Sequence, residues 1–371
     1  MKTFTCSCGN TLHFPNTQCV KCGASVGFLP DKLVVADIQP SHDNTYTSVQ
    51  SEHSYRKCRN YAIEDVCNWM VRSDDDNPLC TSCRLTHTIP NLDKAENRKL
   101  WFYMEEAKRR LLYSLLKLDL PIVSKWEDPK KGLGFAFLED VTEDEFGNEL
   151  TLKEYVSTGH SGGLITINLK EADPSNRIKI REQMQEQYRT LLGHFRHESG
   201  HYFWDQLVKD SDQLDEFRAL FGDERIDYQH AMQSYYANGP NPNWQNVWIS
   251  AYASMHPWED WAETWAHYLH MVDTLQTANH FSFSIGGAAL SDPLHEHPHD
   301  DALITERNFT RLFNDWCKLT SSLNALNRSM GLDDAYPFII SISALNKLRF
   351  VHNIIEQSAQ SKVLEKGTEN S

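Results

Sequence analysis

Eight cysteines crowd into residues 6 to 83, and they restrict how this part of the chain can fold more than any other feature. They run Cys6-x-Cys8 and Cys19-x2-Cys22, then Cys58-x8-Cys67 and Cys80-x2-Cys83. Each set of four contains a tight pair able to wrap a tetrahedral ion, which suits two closed structural zinc sites of the all-cysteine kind. The intervening residues are rich in Gly, Asp and Pro and lack long periodic stretches, so metal is expected to replace a hydrophobic core there. Thiols at metal spacing also point to zinc in a reducing compartment rather than to disulfides. Cys317, alone between Trp316 and Lys318, reads as a packing residue on a helix.

A chain of 371 residues is long enough for one main domain with smaller modules. The cysteines place a zinc-ribbon region at 1–90, with its two sites at 1–28 and 55–90 and a weakly periodic linker at 29–54. A main domain is expected over 91–358, followed by a polar tail at 359–371. Leu100, Met104, Ala107, Leu111, Leu115 and Leu118 recur at three- and four-residue steps with charges between them, predicting an amphipathic helix over 93–118. Residues 132–141 and 163–169 read as strands, the second from its Ile165, Ile167, Leu169 alternation. An exposed edge on that second strand would hold an extended peptide by main-chain hydrogen bonds. Pro174 opens a helix expected to run to about Lys209, with further helices at 211–221, 224–236, 258–278, 304–326 and 341–358. The fold class is therefore α+β, mainly helical. Long loops are expected at 239–244 and 280–302, and the run from His295 to Asp301 in the latter reads as a solvated, adventitious metal site.

The chemistry centres on LLGHFRHESGHYFWD, which contains His197-Glu198-Ser199-Gly200-His201. On a helix, His197 and His201 stand at i and i+4 and point the same way, so both imidazoles can meet one zinc ion with Glu198 beside it. An open zinc site acidifies its water, and an adjacent carboxylate can take the proton. Leu191, Leu192, Phe195, Tyr202, Phe203 and Trp204 would bury the histidines, and buried polar groups need partners. His194 shares the stripe and is expected beside the ligands rather than among them. Tyr202 to Leu207 offer no third histidine, which excludes the metzincin pattern. Downstream, HPWEDWAETWAHYLH carries Glu259 and Glu263 at i, i+4 among Trp258, Trp261 and Trp265. A buried carboxylate pair is costly without a cation. One can bind zinc while the other accepts a ligand histidine's free N–H.

With HESGHYFWD, HPWEDWAETWAHYLHMVDTL and the cysteine-rich N-terminus, the chain resembles the bacterial zinc-binding metallopeptidases that carry an N-terminal zinc ribbon. The likeness covers nearly the whole chain, and the tryptophan-rich motif is far more specific than H-E-x-x-H. It implies a gluzincin-like peptidase, in which the first carboxylate of the downstream pair is the ligand and the second supports a histidine. That assigns Glu259 to the metal and Glu263 to the support, with a Glu263/His267 pair as the competing reading. Some gluzincins place a tyrosine seven residues before the glutamate ligand, which makes Tyr252 the candidate oxyanion donor, with Tyr228, Tyr235, Tyr236 and Tyr336 as alternatives.

Net charge is −15, from 36 Lys+Arg against 51 Asp+Glu, a field that repels a polyphosphate backbone. Residues 1–90 hold eight Lys+Arg and nine Asp+Glu, so the ribbons show no basic footprint for nucleic acid. MKTFTCSCGN has no apolar leader, and no run approaches the ~18 apolar residues of a membrane span. The expectation is a soluble, cytoplasmic zinc peptidase with one catalytic and two structural zinc ions, acting on a peptide or protein through Glu198 as general base. The alternatives are a ribbon-based adaptor with a structural metal helix, and a metallohydrolase acting on another amide.

Overall fold

A computed structural model describes residues 1–144, 150–183, 190–293 and 302–369. They are mainly helical with small sheets, the α+β class expected. The chain divides into two compact units, one of residues 1–113 and 122–192, the other of residues 114–121 and 193–371. The run from His295 to Asp301 lies outside the described residues.

In the first unit, the residues read as a linker are largely sheet. Val26–Leu29 pairs antiparallel with Val34–Asp37, and Gln39–Pro40, Tyr46–Ser48, Ser51–Lys57 and Met70–Arg72 form an antiparallel sheet in that order. Most of these strands are two to four residues long, and Val35 and Ala36 are both buried, so there is little alternation for a sequence pattern to show. Phe28 stacks on Trp69 with ring centroids 4.4 Å apart, and Phe14 meets Phe28 edge-on. Small as it is, this region has a core.

The helix expected over 93–118 is Ala95–Lys117, but three of its charges turn inward. Glu105 and Lys108 form a fully buried pair at 2.8 Å. Two further donors satisfy the carboxylate, the Thr86 hydroxyl at 2.8 Å and the Trp101 indole at 3.3 Å. Arg109 donates to the Val66 carbonyl at 2.6 Å. Buried ions persist only with such partners; Trp101 comes from the same helix, whereas Thr86 and the Val66 carbonyl come from residues distant in sequence.

The expected strands are Gly134–Leu138 and Leu164–Asn168, paired parallel. Gly159–Ser161 lies antiparallel on the other side of Leu164–Asn168, and Thr86–Thr88 completes the order beside Gly134–Leu138. Leu164–Asn168 is thus an interior strand, with Ile165 and Ile167 buried, and does not offer the free edge that a bound peptide would need. Val141–Asp144 and Leu150–Glu154 pair separately.

The single helix expected from Pro174 to Lys209 is described as Pro174–Gln183 and Leu191–Leu207, with Thr190 outside helical structure. In the second unit, Leu214–Phe221, Tyr228–Asn238, Pro257–His280, Ala302–Ser329 and Ile342–Glu369 follow. The last helix carries on through residues 359–369, which composition had set apart as a polar tail. Within 280–302, Ser284–Ile285 and Ala288–Ala289 make a hairpin whose Gly286 and Gly287 have φ of 62° and 82°, the left-handed values that a two-residue hairpin turn demands. Cys317 is exposed rather than packed, because Leu312, Trp316 and Leu319 take the buried face of Ala302–Ser329.

Pro257–His280 begins with His256 as its cap. His256 Nδ1 accepts the Trp258 N–H at 3.0 Å and its Nε2 faces the Ile226 carbonyl at 3.2 Å. That pair of contacts selects the Nε2–H tautomer, and burial lowers the ring's pKa, keeping it neutral. Pro257 then fills the first helical position, where no N–H is needed.

This helix meets Leu191–Leu207 at Gly200. A Cβ there would stand 2.9 Å from Ala262 Cα and 3.2 Å from Trp265 Cβ. The Trp261 indole donates to the Gly200 carbonyl at 2.8 Å, and that of Trp265 to Ser199 Oγ at 3.1 Å. Gly200→Ala gains up to about 1 kcal/mol of helix propensity, but overpacking against a backbone atom costs about 1–3 kcal/mol. The clash should win. The variant is expected to melt at lower temperature than the wild type in calorimetry, and an unchanged or raised Tm would show that the two helices separate freely.

Candidate metal centres

The first centre is assembled by that close crossing. His197 and His201, one turn apart on Leu191–Leu207, face Glu259 in the first turn of Pro257–His280. One donor atom from each of the three residues lies within 4.8 Å of the others. Glu259 Oε2 stands 2.9 Å from His197 Nε2, and Oε1 stands 3.5 Å from His201 Nε2. Glu263, one turn on, bonds the other nitrogen, His197 Nδ1, at 2.7 Å. Its second oxygen accepts the Ser250 hydroxyl at 2.6 Å. The Tyr228 phenol donates to Glu259 Oε1 at 2.8 Å. The tilted rings of Trp258 and Tyr252 close the surroundings, with ring centroids 4.1 Å from His201 and 6.0 Å from His197.

Electrostatics bind these groups together. Burial disfavours charge on His197, yet the carboxylates of Glu259 and Glu263 raise its pKa well above the usual imidazole value. Burial likewise opposes ionisation of Glu259, and the two imidazoles overcome it and hold that carboxyl well below its ordinary range. The donor set is thus a carboxylate centre that calls for positive charge. Two imidazole nitrogens and one carboxylate oxygen make the three-ligand set of a zinc ion with an open position, and the residues fit that ion. Glu198 is different. Its side chain is buried and burial raises its pKa, while its Oε2 has no hydrogen-bond partner among the described residues.

The other two centres are the cysteine clusters. Cys6, Cys8, Cys19 and Cys22 converge, as do Cys58, Cys67, Cys80 and Cys83, and all nine cysteines of the chain are free thiols. Sulfur pairs stand at 3.7 Å for Cys6/Cys22 and Cys8/Cys19, and at 3.8 Å for Cys67/Cys80. Backbone N–H groups of Trp69, Cys80 and Cys83 point at the sulfurs of Cys67, Cys58 and Cys80 at 3.3–3.4 Å. Burial opposes thiolate formation at Cys67, but hydrogen bonds from its three partners and the Arg109 charge bring its pKa well below the thiol value. Thiolate is the form that binds metal. The second cluster is buried throughout, whereas Cys22 of the first is exposed and Cys8 half-buried.

His194 lies half-buried one turn before His197, near enough to influence Glu198 electrostatically, and does not belong to the cluster of donor atoms. His267 is drawn off to Tyr336, whose hydroxyl lies 2.8 Å from its Nδ1. Ser250 and the Tyr228 contact were not read from sequence, since neither residue stands at a motif spacing from its partner. Gly200 did leave a signal, a helix-interior glycine that costs ~1 kcal/mol of propensity unless close packing requires it.

Residues 97–354 match the family described as "Putative zinc-binding metallo-peptidase", and residues 3–94 match a zinc-ribbon domain. Uncharacterized proteins of Mycobacterium bovis and of two strains of Mycobacterium tuberculosis are 38% identical to the chain over 361 residues, 97% of this chain and 96% of theirs. No solved structure matches. No helix among the described residues is long and apolar enough to cross a membrane.

Proposed function

This chain belongs to the zinc-binding metallo-peptidase family, and from that premise we propose that it hydrolyses peptide bonds at the His197/His201/Glu259 centre, in the manner of a gluzincin. These three residues would hold zinc, which would supply there a Lewis acid for water and for a carbonyl. The remaining steps fall to the protein. Glu198 takes the proton of the attacking water and returns it to the departing amine. Glu263, fixed by Ser250, holds His197 in the tautomer that leaves Nε2 free for metal. Tyr252 donates to the oxyanion as it forms. Burial pushes the Tyr252 phenol well above its ordinary pKa, so it keeps its proton at neutral pH.

The observation that carries this reading is the Glu198 carboxylate, buried one residue from His197 with an oxygen that has no hydrogen-bond partner among the described residues. A purely structural zinc site needs neither an open position nor a base beside it. The substrate class is a peptide or protein, the two cysteine centres hold structural zinc, and cysteines gathered for metal fit a reducing compartment such as the cytoplasm. A digest of an unbiased peptide library by the zinc-loaded wild type, beside Glu198→Gln, is the test. Cleavage by the first alone supports the proposal, and no cleavage by either would favour a ribbon-based binding protein.

Tyr252→Phe keeps the ring and removes only the donor. It should lower kcat about 10²-fold while zinc content and KM change little. Unchanged turnover would return Tyr252 to packing.

A further inference from the structure

Tyr228–Asn238 is an odd helix, because none of its residues is buried. Its start is well made, with the Asp227 side chain accepting the His230 N–H at 2.9 Å. Packing of an apolar face, the usual source of helix stability in proteins, is nearly absent. Its first residue nevertheless turns inward. The Tyr228 ring lies edge-on to His256 and Trp258, with centroids 5.2 and 6.3 Å away, and its hydroxyl reaches Glu259 Oε1 at 2.8 Å.

We propose that Tyr228 is a positioning residue that fixes the rotation of the Glu259 carboxylate, so that Oε2 is turned to His197 Nε2 while Oε1 is held by the phenol. The terminal torsion of a glutamate is broad and roughly two-fold, and neither oxygen would otherwise be distinguished. A phenol on a carboxylate makes a charge-assisted bond, about twice as strong as a neutral one. With Oε1 so held and Oε2 2.9 Å from His197 Nε2, the carboxylate is oriented to give one oxygen to a metal. Ligation by one oxygen would leave room for a reacting group beside it. Ser250 and Glu263 do the same service for His197, from the other side of the centre.

This inference rests on the reading of Glu259 as a zinc ligand, and the test separates the two. The full-length protein is treated with a mild chelator that empties the His197/His201 centre and leaves the cysteine sites loaded. Its zinc affinity is then measured by chelator competition for the wild type, Tyr228→Phe, Glu259→Ala and the double variant. Removing a partner of this kind lowers metal affinity about 10- to 100-fold, and that loss is expected for Tyr228→Phe. In the Glu259→Ala background the same change should have no further effect, because the carboxylate that the phenol positions is gone. Cobalt loaded into the emptied centre gives a second readout. Its visible spectrum should differ between the wild type and Tyr228→Phe, which a merely structural role would not produce. Wild-type affinity and spectrum in Tyr228→Phe, with zinc lost in Glu259→Ala, would overturn the positioning role alone. Zinc retained by Glu259→Ala would overturn the ligand reading and this inference with it.

Discussion

Glu198→Gln is expected to keep zinc at the His197/His201 centre and to lose about 10²- to 10⁴-fold in kcat, the usual contribution of a positioned general base. The substitution preserves shape and burial and removes the ability to take a proton. Glu198 is not among the three residues whose donor atoms converge, so zinc content should not follow activity. The structure also predicts an effect on stability. Burying an ionised carboxylate whose Oε2 lacks a partner among the described residues is unfavourable, and burial raises the Glu198 pKa accordingly. A neutral amide there should leave the protein as stable as the wild type or more so. Melting curves and metal analysis on the same preparations check both halves. Loss of zinc together with activity would mean that Glu198 acts on the metal rather than on water.

Removal of zinc from the Cys58/Cys67/Cys80/Cys83 centre should abolish the fold of the N-terminal region. Structural zinc in small modules contributes about 10–16 kcal/mol of apparent binding free energy, which is folding free energy. Here the four cysteines are buried and the backbone N–H groups of Trp69, Cys80 and Cys83 are spent on sulfur. Cys67→Ser should therefore strip amide-exchange protection from Val26–Leu29, Val34–Asp37 and Met70–Arg72, because Trp69 packs on Phe28 and Asn68 holds the Phe14 carbonyl at 2.6 Å. The first cluster, with Cys22 exposed, should yield its metal to chelators sooner. Metal analysis during stepwise chelation ought to show three zinc ions per chain, leaving in the order set by exposure and ligand type. Intact exchange protection in zinc-free Cys67→Ser would show that the Phe28–Trp69 core suffices without metal.

Much of this was legible in the residues. Cysteine spacing grouped two sets of four because each contains a tight pair able to wrap a tetrahedral ion, and i, i+4 placement on a helix is a local rule that puts His197 and His201 on one side. The tryptophans around Glu259 and Glu263 marked those acids as buried; the helix at Ala95–Lys117 followed from apolar periodicity, and those at Pro257–His280 and Ala302–Ser329 were expected from helix start and stop signals. What stayed hidden depends on partners far away in sequence. The short strands between the cysteine sites repeat too few times for alternation to show. Leu164–Asn168 looked like a possible edge until Gly159–Ser161 was seen to cover it. Glu105, Lys108 and Arg109 are among the charges between the apolar positions of their helix, and the distant partners that let them be buried, Thr86 and the Val66 carbonyl, leave no trace in that spacing.

The division is sharpest at the metal centre itself. The sequence alone determined which side chains have the chemistry to hold zinc and move a proton, because ligand type and helical phase are local properties. Only the tertiary structure decided which oxygen meets which nitrogen: a helix crossing close enough to exclude a Cβ at Gly200 brings Glu259 to both imidazoles, and leaves Glu263 with His197 Nδ1 and Tyr228 with Glu259 Oε1. Those pairings are fixed by distances between separate segments, and spacing along the chain carries no record of them.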